Sequence, residues 1–115
     1  MKKLILFFTL ILSGFIFSQD RKAEFIEGEK QLKKLIYSKI SVDSLDIDED
    51  TVIKLIYKID KKGKVKNIDC ESFYPEAKKE FLKAAKQINQ KWKPAIKNGK
   101  KVYSEVEVSF PVVFE

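Results

Sequence analysis

The last quarter of the chain constrains the fold most strongly, because it ends in one long segment of alternating apolar and polar residues. Apolar side chains fall on one face of this segment, at Val102, Val106, Val108 and Phe110. Ser104 is the one polar residue on that face, and the other face carries Tyr103, Glu105, Glu107 and Ser109. Alternation over this length indicates a β-strand with one buried face. The strand is therefore either central in a sheet or an exposed edge.

The residues before this strand predict how the chain enters it. We expect a helix to end near Trp92, because Pro94 has no N–H and its ring clashes with the preceding helical turn. Asn98 and Gly99 follow, and both residue types tolerate the positive φ angles of a tight reversal. The order of this region is therefore predicted as helix, turn and strand.

The amino terminus has the layout of a secretory signal peptide. Two lysines precede an apolar run of 14 residues, from Leu4 to Phe17, and Ser18 offers a small residue for cleavage. A membrane-spanning helix needs about 20 apolar residues, so a retained inner-membrane anchor is the alternative interpretation. We therefore expect residues 1–18 to be removed and residues 19–115 to form one periplasmic or secreted domain. The net charge then falls from +6 to +4, because the two lysines leave.

The mature part predicts two amphipathic helices and three strands in the order α-β-β-α-β. The predicted bounds are Glu29 to Lys39 and Pro75 to Trp92 for the helices, and Thr51 to Asp60, Val65 to Glu71 and Val102 to Phe114 for the strands. We expect a hairpin turn at Gly63 and a bulge near Asn67. Elements of this kind cover each other as two layers. The prediction is an α+β fold with both helices on one face of a three-stranded antiparallel sheet.

Two residue types that often carry chemistry are scarce. The chain has no histidine, which is the commonest general base and the commonest transition-metal ligand. Its single cysteine, Cys70, cannot form an internal disulfide. The apolar neighbours Val65 and Ile68 predict a buried, inert thiol, and a reactive or intermolecular thiol is the alternative.

The acidic segment before the first strand resembles a calcium loop only in part. Asp46, Asp48 and Asp50 have the spacing of the first three ligands, but Thr51 and Tyr57 stand where that loop requires Gly and Glu. A solvated acidic loop is therefore favoured. With no nucleophile motif or phosphate loop in the sequence, we predict that the protein is not an enzyme and holds no metal or cofactor.

Lysines form two clusters that could make a basic face: Lys61, Lys62, Lys64 and Lys66, and then Lys91, Lys93, Lys97, Lys100 and Lys101. An exported protein does not meet nucleic acid, so none is expected as a partner. Weak contact with anionic lipid headgroups or cell-wall polymer is an alternative to an ordinary soluble surface.

Several landmarks recur in a recognisable order. Phe25 and Gly28 precede the first helix, and Tyr57 to Val65 combines a strand, an Asp-Lys-Lys-Gly-Lys turn and a second strand. The later landmarks are Trp92-Lys93-Pro94, then Asn98-Gly99-Lys100-Lys101-Val102, then Phe110-Pro111-Val112-Val113-Phe114. From about Phe25 to Phe114 the chain therefore resembles the carboxy-terminal domain of TonB proteins, in the form common in Bacteroidetes-type bacteria. The resemblance implies helices packed on a three-stranded antiparallel sheet.

The chain departs from a full TonB protein outside this domain. Such a protein keeps its membrane anchor and has a long proline-rich spacer, whereas only three prolines occur here, all within the domain. Glu27 also stands where the family often has the first glycine of a pair. The resemblance therefore implies a binding domain without the energy-coupling parts.

The resemblance also implies how a partner binds. In the family, a short receptor segment, the TonB box, adds to the sheet edge as an extra strand. The matching edge here runs from Lys101 to Ser109, with the partner-binding residues Lys101, Tyr103, Glu105, Glu107 and Ser109. The expected partner is such a segment of an outer-membrane receptor, or another envelope protein, and the expected function is support or regulation of TonB-dependent outer-membrane transport.

Three alternatives remain open at this point. The chain could be a structural envelope protein that associates with itself, as a homodimer for example, or with cell-wall material. It could be a membrane-anchored energy transducer if the amino-terminal segment is retained. The last strand could also be purely structural, with its glutamates serving to keep the edge soluble.

Overall fold

The computed structural model describes residues 20–113, so the predicted signal peptide of residues 1–18 and Phe114 lie outside the described residues. Within that range the chain forms two α-helices, α1 (Glu29–Ser38) and α2 (Pro75–Lys86), and a 3-10 helix (Val42–Leu45). The strands are β1 (Glu24–Phe25), β2 (Thr51–Ile59), β3 (Val65–Glu71), β4 (Trp92–Lys93), β5 (Ala95–Lys97), β6 (Lys100–Val102) and β7 (Ser104–Val112).

The main sheet has three antiparallel strands in the order β3-β2-β7. The central strand β2 pairs with β3 on one side and with β7 on the other, so β3 and β7 are the two edges. The predicted bulge near Asn67 is confirmed, because Lys58 lies opposite Asn67 while Ile59 lies opposite Val65. Lys66 is therefore the extra residue of the bulge.

Both helices pack on one face of this sheet and form a single core with it. The fully buried side chains of that core include Leu32 and Ile36 from α1, Ala77, Phe81, Ala84 and Ala85 from α2, and Ile53, Leu55, Tyr57, Ile59, Cys70, Val108 and Phe110 from the strands. The ring of Tyr37 bridges the layers edge-on, at 6.5 Å from Phe81 and 5.4 Å from Phe110. The predicted α+β fold and the predicted burial of Cys70 are confirmed.

The opposite face of the sheet carries charged residues. Lys54 on β2 forms an ion pair of 3.1 Å with Glu107 on β7, and Lys58 lies directly opposite Glu105. Opposite charges on neighbouring strands stabilise a solvated face by a few tenths of a kcal/mol per pair. This alternation explains why the helices cover only one side of the sheet.

The turn between β2 and β3 is held by one carboxylate. Asp60 accepts hydrogen bonds from the N–H groups of Lys62 and Lys64, both at 2.8 Å. These bonds favour the ionised form, so the pKa of Asp60 lies below its ordinary value, and nearby Lys66 acts in the same direction. Gly63 completes the turn with a φ of 82°, and its carbonyl accepts the N–H of Trp92 at 3.0 Å.

The second helix is shorter than its sequence pattern predicts. α2 ends at Lys86, and the N–H groups of Gln87 and Ile88 donate to Ala84 and Ala85 in a final tight turn. Trp92 therefore lies outside the helix, in β4, where it pairs with Phe25 of β1. The expected helix end at Trp92 is wrong because pairing with a distant segment and with Gly63 takes up the backbone of this residue.

The last strand is interrupted where the sequence predicts continuity. Lys100–Val102 pairs with Ala95–Lys97 as a hairpin, and its turn residues Asn98 and Gly99 have φ angles of 54° and 78° as the Asn-Gly pattern predicts. The chain leaves the hairpin at Tyr103, and β7 starts only at Ser104. The strand is interrupted because β6 pairs with β5 whereas β7 pairs with β2.

Candidate functional site

The outer edge of β7 borders a large groove. Among residues 20–113 only β2 pairs with β7, so the other side of β7 carries unpaired backbone groups. A groove of about 1010 Å³ lies along Ser104 to Val108 on that side. Its far wall consists of residues 20–25 together with Ala95–Lys97. A sheet edge and a concave surface therefore coincide.

Backbone bonds fix the far wall in place. Arg21 and Ile96 exchange two hydrogen bonds, of 2.9 Å and 2.8 Å. The guanidinium of Arg21 also donates to the carbonyl of Pro94 at 3.1 Å, and the Asp20 carboxylate accepts the N–H of Asn98 at 3.0 Å. Asp20 and Arg21 thus bond to the β5–β6 hairpin along β5, as a third short strand would. This pairing closes one side of the groove.

The groove has an apolar floor. Phe25, Trp92 and Ala95 line it and are almost completely buried. The Trp92 ring lies edge-on to Phe25 at 5.7 Å and tilted on Tyr57 at 4.8 Å. Aromatic contacts of this kind add about 0.5–1.5 kcal/mol each beyond burial. Trp92 therefore joins the floor of the groove to the core.

The β7 side of the groove is incompletely covered. Val108 is buried, whereas Ser104 and Val106 on the same face are only half-buried. The hydroxyl oxygen of Ser104 is inaccessible to solvent and forms no hydrogen bond within the described residues. An unsatisfied buried hydroxyl costs about 1–3 kcal/mol. A bound segment could cover the exposed part of Val106, whereas the Ser104 hydroxyl lies out of its reach.

Charges of both signs surround the groove. They belong to Asp20, Arg21, Lys22, Glu24, Glu29, Lys97, Glu105 and Glu107. Because acids and bases are mixed, the groove gives no strong preference for a ligand of one sign. Recognition through backbone hydrogen bonds and apolar side chains is therefore the chemistry that this surface offers.

The structure gathers some of the predicted site residues and separates others. Glu105 and Glu107 line the groove on β7, and Ser109 follows on the same face of that strand. Lys101 lies instead on β6, opposite Ile96, and Tyr103 lies between β6 and β7 with 64% of its surface exposed. The free edge thus begins three residues later than predicted.

Sequence reasoning did not identify the far wall of the groove. Arg21 and Ala95 belong to segments with no pattern that links them across the chain. On the β7 wall, by contrast, Ser104 carries a signal of its own, because it is the single polar residue on an apolar strand face.

The described residues gather no set of metal ligands and include two buried groups with raised pKa values. No group of three or more acidic or cysteine side chains in residues 20–113 is placed to hold a metal ion. Burial raises the pKa of the Cys70 thiol to about 11 and also raises the pKa of the Tyr57 hydroxyl. Both groups stay protonated near neutral pH and lie in the core rather than in the groove. No helix in this part of the chain is long and apolar enough to cross a membrane.

Comparison of the chain with family models, with curated proteins and with solved structures finds no match.

Proposed function

We propose that the chain is an exported peptide- or protein-binding module, similar to a standalone TonB carboxy-terminal domain, that supports or regulates TonB-dependent outer-membrane transport. The observation that carries this proposal is the unpaired edge of β7 beside the groove. The partner is an extended segment of an outer-membrane receptor or of another envelope protein, and it binds by adding a strand to β7.

The edge has the features that strand addition requires. Unpaired N–H and C=O groups along an edge strand supply most of the affinity, and pockets for alternate side chains supply the selectivity. On the core side, a bound strand would cover Val106. On the solvent side, it would lie beside Glu105 and Glu107.

Proline scanning of β7 tests the proposal. Successive N–H groups of an antiparallel edge strand alternate between the neighbouring strand and the open side, so one of Glu105 and Val106 points its N–H outward. We expect one of the single variants Glu105→Pro and Val106→Pro to keep the fold. That variant should bind the partner at least tenfold more weakly, which is about 1.4 kcal/mol, because it loses a donor and its ring obstructs the edge.

The probes are fluorescein-labelled synthetic peptides that cover the periplasmic amino-terminal segments of outer-membrane receptors encoded in the same genome. Fluorescence anisotropy measures binding, and circular dichroism with urea unfolding shows which variants are folded. Glu105→Gln is the matched control, because it changes the side chain and keeps the backbone donor. Unchanged binding by the proline variant that stays folded would exclude strand addition at this edge.

Self-association through the same edge is the second candidate function, for a structural role in the envelope. The unpaired edge of β7 favours it, because a second copy can supply the missing strand. Two antiparallel β7 strands would, however, bring Glu105 and Glu107 close to the same residues of the other copy, which is destabilising. Light scattering after gel filtration distinguishes the two: a monomer at about 100 µM supports a separate partner.

The proposal also includes export of the protein to the periplasm or the medium. The mass of the protein purified from its natural host identifies the mature amino terminus. A chain that starts at Gln19 supports a periplasmic or secreted module. An intact Met1 supports a membrane-anchored energy transducer instead.

A further inference from the structure

A second concave site lies at the opposite edge of the sheet. A cleft of about 380 Å³ separates the first half of β3 from the segment that follows α2. Its lining runs from Gly63 to Ile68 on one side and includes Ala85, Lys86 and residues 88–91 on the other. The central strand β2 stands between β3 and β7, so this cleft is separate from the groove described above.

The charge of the cleft has a single sign. Four lysines line it, at Lys64, Lys66, Lys86 and Lys91, and no acidic residue does. Three amide side chains, at Asn67, Asn89 and Gln90, add neutral donors to the same lining. Like charges around a concave surface raise the local concentration of ligands of opposite charge.

Most of the positive charge of these four lysines has no acidic partner within the described residues. Within residues 20–113, Lys66 is the one of the four that forms an ion pair, at 3.8 Å from Asp60. The other oxygen of that carboxylate already accepts the N–H groups of Lys62 and Lys64, and 53% of the Lys66 side chain remains exposed. The cleft therefore keeps an uncompensated positive charge.

The bulge in β3 contributes to the shape of this cleft. Lys66 is the extra residue of the bulge and Asn67 follows it, and both line the cleft. A bulge redirects side chains and leaves a backbone group outside the regular ladder, which is why bulges recur beside binding sites. Lysine and amide side chains from two segments of the chain thus line one cleft.

We propose that this cleft binds a small ligand with several phosphate or carboxylate groups. Its volume falls within the range of about 300–1,000 Å³ that is typical of small-molecule sites. Lysine provides the point charge that phosphate and carboxylate groups bind, and the amides orient their oxygens. Occupation of the cleft leaves the β7 edge free, so this site functions whether or not a peptide binds there.

Isothermal titration calorimetry with sodium tripolyphosphate at 150 mM NaCl tests the proposal on the mature chain. The double variant Lys86→Gln/Lys91→Gln removes two charges from the cleft. The control Lys30→Gln/Lys34→Gln removes two exposed charges from α1, outside the cleft. We expect affinity to fall about tenfold in the cleft variant and to change less than about twofold in the control.

Amide chemical shifts provide a second measurement that does not depend on the variants. Tripolyphosphate should shift the signals of Asn67, Asn89 and Gln90 and leave those of α1 unchanged. Citrate in place of tripolyphosphate identifies the ligand class, because the tighter of the two shows whether carboxylate or phosphate is preferred. Equal loss of affinity in both double variants, or no saturable binding by the parent chain, would overturn the proposal.

Discussion

Gly63 offers a direct test of how the hairpin turn is fastened to the rest of the molecule. Its φ angle is 82°, in the left-handed region. A Cβ atom at this position would overlap the carbonyl oxygen of Trp92 and lie 3.1 Å from the carbonyl carbon. The substitution Gly63→Ala therefore imposes both a backbone cost and a steric cost.

The two costs can be separated. A non-glycine residue in the left-handed region costs about 1–2 kcal/mol. Relief of the overlap requires the turn to move away from Trp92, which breaks the hydrogen bond of 3.0 Å to Gly63 and costs about 0.5–1.5 kcal/mol more. We expect Gly63→Ala to lower the free energy of unfolding by about 2–3 kcal/mol. That is a large part of the roughly 5–15 kcal/mol that a typical domain has.

Gly28 supplies a comparison in which the steric cost is absent. Its φ angle is 93°, and a Cβ atom there would have no atom within 4 Å. Gly28→Ala should therefore impose no steric cost, but its ψ of 155° lies in a region nearly restricted to glycine, so the backbone cost is about 1–3 kcal/mol. Urea unfolding measures both variants through the fluorescence of Trp92, the single tryptophan. Unchanged emission of native Trp92 in Gly63→Ala would refute the close approach of Gly63 to Trp92.

Three further predictions concern buried and titrating groups. The pKa of Asp60 is lowered from its ordinary value of 3.8, so the ionised carboxylate stabilises the fold above pH 3.8, and this stabilisation is lost as the pH falls through the lower pKa of the folded state. The difference in urea midpoint between the parent chain and Asp60→Asn should therefore shrink as the pH is lowered below 3.8. The pKa of Cys70 rises from 9.0 to about 11, so its thiol should react with Ellman's reagent at least about 100-fold more slowly than free cysteine, and fast reaction of the native protein would contradict its burial. The hydroxyl of Tyr57 is buried without a partner among the described residues, so Tyr57→Phe should leave the free energy of unfolding unchanged or raise it by about 1 kcal/mol; a loss of that size in urea unfolding would indicate a hidden hydrogen bond.

The sequence predicts the parts of the fold that depend on local pattern. Alternation placed β3 at its observed bounds and β2 within one residue, and helical spacing placed α1 within one residue. The bulge at Lys66 was also visible, because Val65 is out of phase with Ile68 and Cys70. In each case the periodicity of neighbouring side chains decides which face is buried.

The local pattern of side chains could not predict the pairing between distant segments of the chain. A run of apolar residues continues at helical spacing through Trp92, yet this residue pairs with Phe25. Two-residue strands such as β1 and β4 carry no periodicity, and the bridge between Arg21 and Ile96 leaves no trace in either segment. One wall of the groove was therefore predicted, as part of the last strand, and the other was not.

Trp92 connects these separate parts. Its N–H bonds to Gly63 in the turn, its backbone pairs with Phe25, and its ring lies on the floor of the groove. A change at Gly63 that displaces Trp92 must therefore also move the groove wall opposite β7. Proline in β7 removes a backbone donor without touching Trp92. If the edge of β7 alone captured the partner, Gly63→Ala would reduce stability and leave the affinity of the folded protein unchanged; if the groove takes part, affinity falls as well.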